Sequence, residues 1–253
     1  MKKIIISILL VIGCISSYAQ KQKINYLTTF DDKLIHFGFT IGVNTLDFNI
    51  ANYNPIGENP DFIPFQNSPN DKVTGSDVIR SDVATLIPGF TVGIISSLRL
   101  SEDFNLRFLP GLSFGERQLT YNVPVIDINI YDESLSYYSI KSTFLDFPLL
   151  IKYKARRINN DRPYVIFGGA YRQDISRTAQ EDLIKLKSGG FYAEAGGGWD
   201  HYFPFFRFSV EAKFSFGLNN QLGDLPAPTQ RLYYSQSIKN MRSKIFTLCF
   251  HFE

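Results

Sequence analysis

His36, His201 and His251 are the three histidines of the chain. Each falls near the end of an alternating segment, where imidazole nitrogens could meet around a metal ion. No carboxylate completes a ligand spacing around them, so polar packing is the expectation and neither a metal nor another cofactor is required. His251 and Ser209 lie on the same face of neighbouring segments, and a Ser–His pair is half of a nucleophilic constellation. No Gly-x-Ser-x-Gly turn accompanies it, so the sequence reads as non-enzymatic. The glycine runs at 168–169 and 196–198 sit inside strands with no helix to follow. They read as kinks or as space for neighbours, not as phosphate loops.

The larger constellation is ionic. Arg99, Arg107, Arg117, Lys152, Arg207 and Lys213, with Asp146, Glu194, Asp200 and Glu211, occupy alternate positions opposite rows of apolar residues. Period-two alternation places the two sets on opposite faces of a sheet. Charges gathered on one face must pair if that face is enclosed, because an uncompensated buried charge is costly. A structural ion-pair network is therefore expected, with inward glycines such as Gly38, Gly42, Gly196 and Gly198 giving the longer arginines room.

The elements that position these charges are eight alternating segments. The last carries Phe246, Leu248, Phe250 and Phe252 on one face and Thr247, Cys249 and His251 on the other. The first covers about 34–50, with Ile35, Phe37, Phe39, Ile41 and Val43 outward. Its apolar set then shifts to Leu46, Phe48 and Ile50, which predicts a β-bulge near 44–45. Segments at 83–100, 104–117 and 143–153 follow, then 163–172, where Tyr164-Val165-Ile166-Phe167 gives no clean parity. Segments at 191–200 and 206–216 complete the set. The connections alternate strictly: long at 51–82, 120–138, 174–188 and 218–242, short at 101–103, 155–161 and 201–204.

No helices remain to cover so many apolar faces. A sheet in hydrocarbon must close on itself to pair every backbone group. The fold class predicted is thus all-β: an eight-stranded antiparallel transmembrane outer-membrane β-barrel, residues 34–253, with long extracellular loops and short periplasmic turns. Eight strands leave an interior wide enough only for side chains, which argues against a porin.

Composition agrees. Lys2-Lys3, an apolar run over 4–12 and Ser17-Tyr18-Ala19 form an export signal, 1–19, cleaved between Ala19 and Gln20. Cys14 lies too early, and without the usual Leu, to make a convincing lipoprotein box. Cleavage removes two of the 26 basic residues and leaves 24 against 24 acidic, so nothing suggests a nucleic-acid partner. Only Cys249 remains, which excludes an intramolecular disulfide. Residues 20–33 read as a periplasmic N-terminal arm. Outer-membrane lipid is the expected surroundings, and no small-molecule substrate is expected. The loops at 51–82 (Phe62, Ile63, Phe65) and 218–242 (Pro226, Pro228, Tyr233-Tyr234) read either as docking surfaces or as small aromatic clusters of their own.

Several stretches resemble the PorT family of Bacteroidetes. They are Phe30-Asp31-Asp32-Lys33 with His36-Phe37-Gly38-Phe39, and Pro88-Gly89-Phe90 with Gly93-Ile94-Ile95-Ser96. Leu106-Arg107-Phe108 with Pro110-Gly111-Leu112, Phe144-Leu145-Asp146-Phe147-Pro148 with Lys152-Tyr153, and the ending Phe250-His251-Phe252-Glu253 continue the likeness in order. The resemblance implies an outer-membrane barrel required for type IX secretion, the export of proteins with C-terminal sorting domains. It also implies contacts with other secretion components and, in gliding species, a part in motility. It supplies no catalytic residues.

Overall fold

A computed structural model describes residues 24–68, 71–122, 125–126, 134–135, 137–176, 184–223 and 233–253. The export segment, with Ala19 and Gln20, lies outside the described residues, as do Pro226 and Pro228. The strands are β1 (Ile35–Asn52), β2 (Phe65–Ser68), β3 (Asp71–Val73), β4 (Ser81–Leu86), β5 (Pro88–Arg99), β6 (Phe104–Phe108) and β7 (Gly111–Tyr121). After them come β8 (Val125–Ile126), β9 (Ser134–Leu135), β10 (Tyr138–Lys154), β11 (Asp161–Asp174), β12 (Gly189–Tyr202), β13 (Arg207–Gly217) and β14 (Ile238–Phe252).

The long strands form one closed antiparallel ring. β4 with β5 makes one stave and β6 with β7 another, which gives eight in all. The breaks fall where prolines remove ladder donors. Pro88 follows the first break and Pro110 lies within the second, where Ile94 N donating to Pro110 O at 2.9 Å carries pairing across the gap. β1 closes the ring. It pairs with β5 from Ile35↔Leu98 to Thr45↔Pro88, and with β14 from Phe39↔Phe252 to Asn52↔Ile238. The start of β1, the end of β14 and the three short turns share one rim, and the long connections share the other.

The burial is inside-out. Phe37 is 68% exposed, Ile94 62% and Phe191 59%, while Arg107, Lys152, Asp200 and Arg207 are 0% exposed. An apolar outer wall around a charged interior suits hydrocarbon, not water. Rings stack along that wall, as with Phe39 on Phe252 at 4.8 Å and Phe90 on Phe114 at 4.5 Å.

Two sequence expectations about the strands are corrected. No bulge occurs at 44–45; β1 keeps its register with β14 until a shift between Ala51 and Asn52. The apolar residues change faces because the interior itself turns apolar there. Leu46 packs inside with Phe144, Ala170, Tyr192 and Ile245, and Phe48 with Leu119, Ile140 and Met241. β11 does have clean parity: Tyr164, Ile166, Ala170 and Arg172 are buried, and Val165, Phe167 and Tyr171 are exposed. Its inward Tyr164 and Ile166 join Ile95, Leu109 and Leu150 in an apolar layer, so both faces are apolar and alternation in hydropathy disappears.

The long-loop end has its own small core. Ile56, Val73, Ile79, Tyr233 and Tyr234 are buried together, with Phe62 packed against them. The two tyrosines belong to a single helical turn, Tyr233–Gln236. Asn59 Nδ2 donates to the Gln236 carbonyl at 2.9 Å, which ties the first long loop to the last.

Candidate functional site in the barrel lumen

The interior charges form two tiers and a mouth. In the lower tier Lys152 Nζ lies 2.7 Å from Asp200 Oδ2, and Ser209 Oγ donates to Asp200 Oδ1 at 2.5 Å. Arg107 Nη1 donates to Glu211 at 2.9 Å, as does the Tyr164 hydroxyl. The Lys152 ammonium also sits 3.6 Å above the Tyr164 ring, a cation–π contact. Inward Tyr164 needs the glycine across from it: a Cβ on Gly198 would come within 2.5 Å of the ring. At this position the glycine makes room for a tyrosine and not, as expected, for an arginine.

The upper tier centres on Glu194, which accepts from Arg172 Nη2 at 2.6 Å and Ser215 Oγ at 2.7 Å and pairs with Lys213 Nζ at 2.9 Å. Arg172 Nε lies 3.4 Å from Asp146, which also accepts a hydrogen bond from Ser113. Above this tier Arg117 is buried without a carboxylate partner among the described residues. It donates to Ser243 at 3.1 Å and stacks on Phe48, its guanidinium carbon 4.0 Å from the ring centroid.

At the short-turn rim the N-terminal arm folds back into the mouth. Asp31, in the turn Phe30–Asp32, accepts from the Tyr202 hydroxyl at 2.6 Å, Arg162 at 3.0 Å and Arg207 at 3.2 Å, with Lys154 3.8 Å away. Arg207 also binds the last residue, Glu253, at 2.6 Å. Phe30 stacks on His36 at 4.3 Å, and Asn160 Nδ2 donates to the Ile24 carbonyl at 2.9 Å. From Ile24 onward the arm thus completes the interior.

Arg99 does not enter the lumen. It ends β5 at the rim and pairs at 3.4 Å with Asp32, which is 70% exposed. The other nine sequence-selected charges are all buried. Reasoning from sequence missed Asp31, Lys154, Arg162, Arg172 and Glu253. Lys154 and Glu253 were reachable by extending the alternation two residues beyond Lys152 and His251. Arg172 was hidden by the apolar layer below it on β11, and Asp31 lies outside any strand.

The histidines separate. His36 and His251 point inward; His201 shares the outward face of Trp199, its Nδ1 2.7 Å from Asp161. Among the described residues no group of three metal-ligating side chains converges. Ser209 and His251 are register partners, yet Ser209 donates to Asp200, and His251 Nε2 faces Glu211 at 3.4 Å. The serine hydroxyl is held by a carboxylate, not by the imidazole.

Burial opposes ionisation of Asp31, but the Tyr202 hydrogen bond and the charges of Lys154, Arg207 and Arg162 outweigh it and hold the carboxyl below its usual 3.8. A depressed folded-state value stabilises the arm at pH above the unfolded value and loses that contribution as pH falls through the folded one. The arm is therefore expected to become protease-sensitive as pH drops below about 3.8, and an Asp31→Asn variant to be sensitive already at neutral pH. Limited proteolysis followed by N-terminal mass analysis checks this.

Residues 18–223 match the family model of the outer membrane protein beta-barrel domain. The chain belongs to this family. It is an outer-membrane barrel, and in such barrels short turns face the periplasm and long loops the exterior. The fold is similar to that of the outer membrane protein OprG of Pseudomonas aeruginosa at 12% identity, over 86% of this chain and 91% of that one, with a TM-score of 0.39. The attachment invasion locus protein Ail of Yersinia pestis gives 10% identity over 85% and 96%, with a TM-score of 0.32. The N-terminal barrel of Pseudomonas aeruginosa OprF gives 11% over 84% and 96%, with a TM-score of 0.28. No curated relative matches the sequence.

Proposed function

We propose that this barrel is a non-enzymatic component that supports type IX secretion, acting through its rims and loops and passing nothing through its lumen. The observation that carries the surface role is the filled interior: two charged tiers, apolar layers between and above them, and an arm seated in the periplasmic mouth. A substrate path would have to break several buried, shared ion pairs at once, and an uncompensated buried charge is costly. The secretion assignment rests on the ordered likeness to PorT proteins, which runs from Phe30 to Glu253. Its partners would be other secretion components, met at the short-turn rim or at the long loops, and the lumenal charges serve structure.

The test is a secretome comparison of wild type, a clean deletion and the complemented strain. Cargo with type IX sorting domains is expected to accumulate in the periplasm of the deletion strain. Normal export of that cargo would overturn the assignment.

A second reading is a stand-alone surface barrel of the small OmpX-like kind, serving adhesion or membrane integrity. The small core formed by the long loops favours it, since it holds an exterior surface in one shape. On this reading deletion leaves export intact but changes surface binding or detergent sensitivity.

A further inference from the structure

Between the two charged tiers lies a cavity of about 20 Å³, lined by Thr40, Ser113, Asp146, Arg172, Glu211 and His251 among others. Several of these side chains are at least nine-tenths buried, yet atoms on them make no protein hydrogen bond. They are Asp146 Oδ1, Arg172 Nη1, Glu211 Oε1 and His251 Nδ1. Buried polar groups are rarely left unpaired, because an unmade hydrogen bond leaves their desolvation uncompensated. Four such atoms around one space indicate an occupant.

We infer that this cavity is a hydration site, holding one or two ordered water molecules that join the lower ion-pair tier to the upper. Size and polarity choose the occupant. A water needs roughly 10–15 Å³ of such space and two to four polar partners. The lining mixes acceptors with donors: Asp146 and Glu211 would repel an anion, and Arg172 and Lys213 would repel a cation. Water alone both donates and accepts. From the cavity it reaches Glu211 and His251 below and Asp146 and Arg172 above. Thr40 supplies a further hydroxyl, and Leu109 and Pro148 close the apolar side. The two tiers then form one hydrogen-bonded column instead of two separate networks, which explains how the barrel tolerates carboxylates on both sides of an apolar layer.

The test is a crystal structure of the whole mature chain at a resolution that shows ordered water, with parallel crystals soaked in bromide and in rubidium. Peaks within hydrogen-bond distance of Glu211 and Asp146, without anomalous signal, are expected. Anomalous signal there would make the site an ion site and overturn the inference. So would a cavity without density whose lining side chains pair directly with one another. A second readout works in membranes: radiolytic hydroxyl-radical labelling reports side chains beside bound water. Cys249 lines the cavity, whereas Met241 is equally inaccessible but sits in an apolar cluster. Cys249 is expected to oxidise faster than Met241 by clearly more than the ratio the same two side chains show in the unfolded chain, and a ratio no greater than the unfolded one would count against the water.

Discussion

Replacing Arg207 with methionine is expected to destabilise the folded barrel by about 3–5 kcal/mol, the usual cost of removing one member of a buried ion pair. Arg207 is fully buried at the start of β13 and touches three carboxylates: Glu253 at 2.6 Å, Asp31 at 3.2 Å and Asp200 at 3.9 Å. Methionine fills much of the volume but returns none of the charge. Among the described residues Glu253 would keep only its ion pair with Arg107 at 3.8 Å, and the arm would lose one of its anchors. The loss should be partly recovered in the double variant Arg207→Met/Glu253→Gln, where the orphaned charge is gone. By contrast, Lys244→Met breaks a half-exposed pair with Asp47 at 3.6 Å and should change stability by less than about 1 kcal/mol. Urea unfolding in lipid vesicles, followed by the mobility difference between folded and unfolded barrel, measures all three.

The second large effect is on the outer wall. Ile94 is 62% exposed and lies midway along the outward row from Leu86 to Leu100. In a soluble protein, replacing such an exposed side chain with arginine usually shifts stability by no more than about 0.5 kcal/mol. At the bilayer midplane the same change costs about 2–4 kcal/mol. Ile94→Arg is therefore expected to unfold at clearly lower urea in vesicles. An arginine closer to the rim, at Leu100, should cost far less. Equal tolerance at both positions would mean that Ile94 does not face hydrocarbon.

The outer wall was the most legible part of the sequence. Phe246, Leu248, Phe250 and Phe252 alternate with polar residues because lipid accepts only apolar side chains and the lumen beside them is polar. The signal failed where the lumen becomes apolar. Leu46 and Phe48 imitated a bulge because hydropathy changed sides while the backbone did not. Tyr164 and Ile166 erased the parity of β11 for the same reason, and Arg172, the hub of the upper tier, was lost with it. Asp31 was unreadable for another cause. Its role depends on the arm folding back into the mouth, where Lys154, Arg162, Tyr202 and Arg207 arrive from four different strands. No local pattern encodes such a meeting. Loop length, by contrast, carried the arrangement of the rims, because only four-to-six-residue turns join neighbouring staves at the periplasmic end.

A filled lumen implies a barrel without a conducting path, and this is most directly tested by reconstituting the mature chain into planar bilayers and recording single-channel current. The interior described here predicts no steady conductance, with the arm intact and the two charged tiers closed. A stable ohmic channel, reproducible across insertions and abolished by heat denaturation, would contradict a filled interior and return the barrel to the class of passive pores.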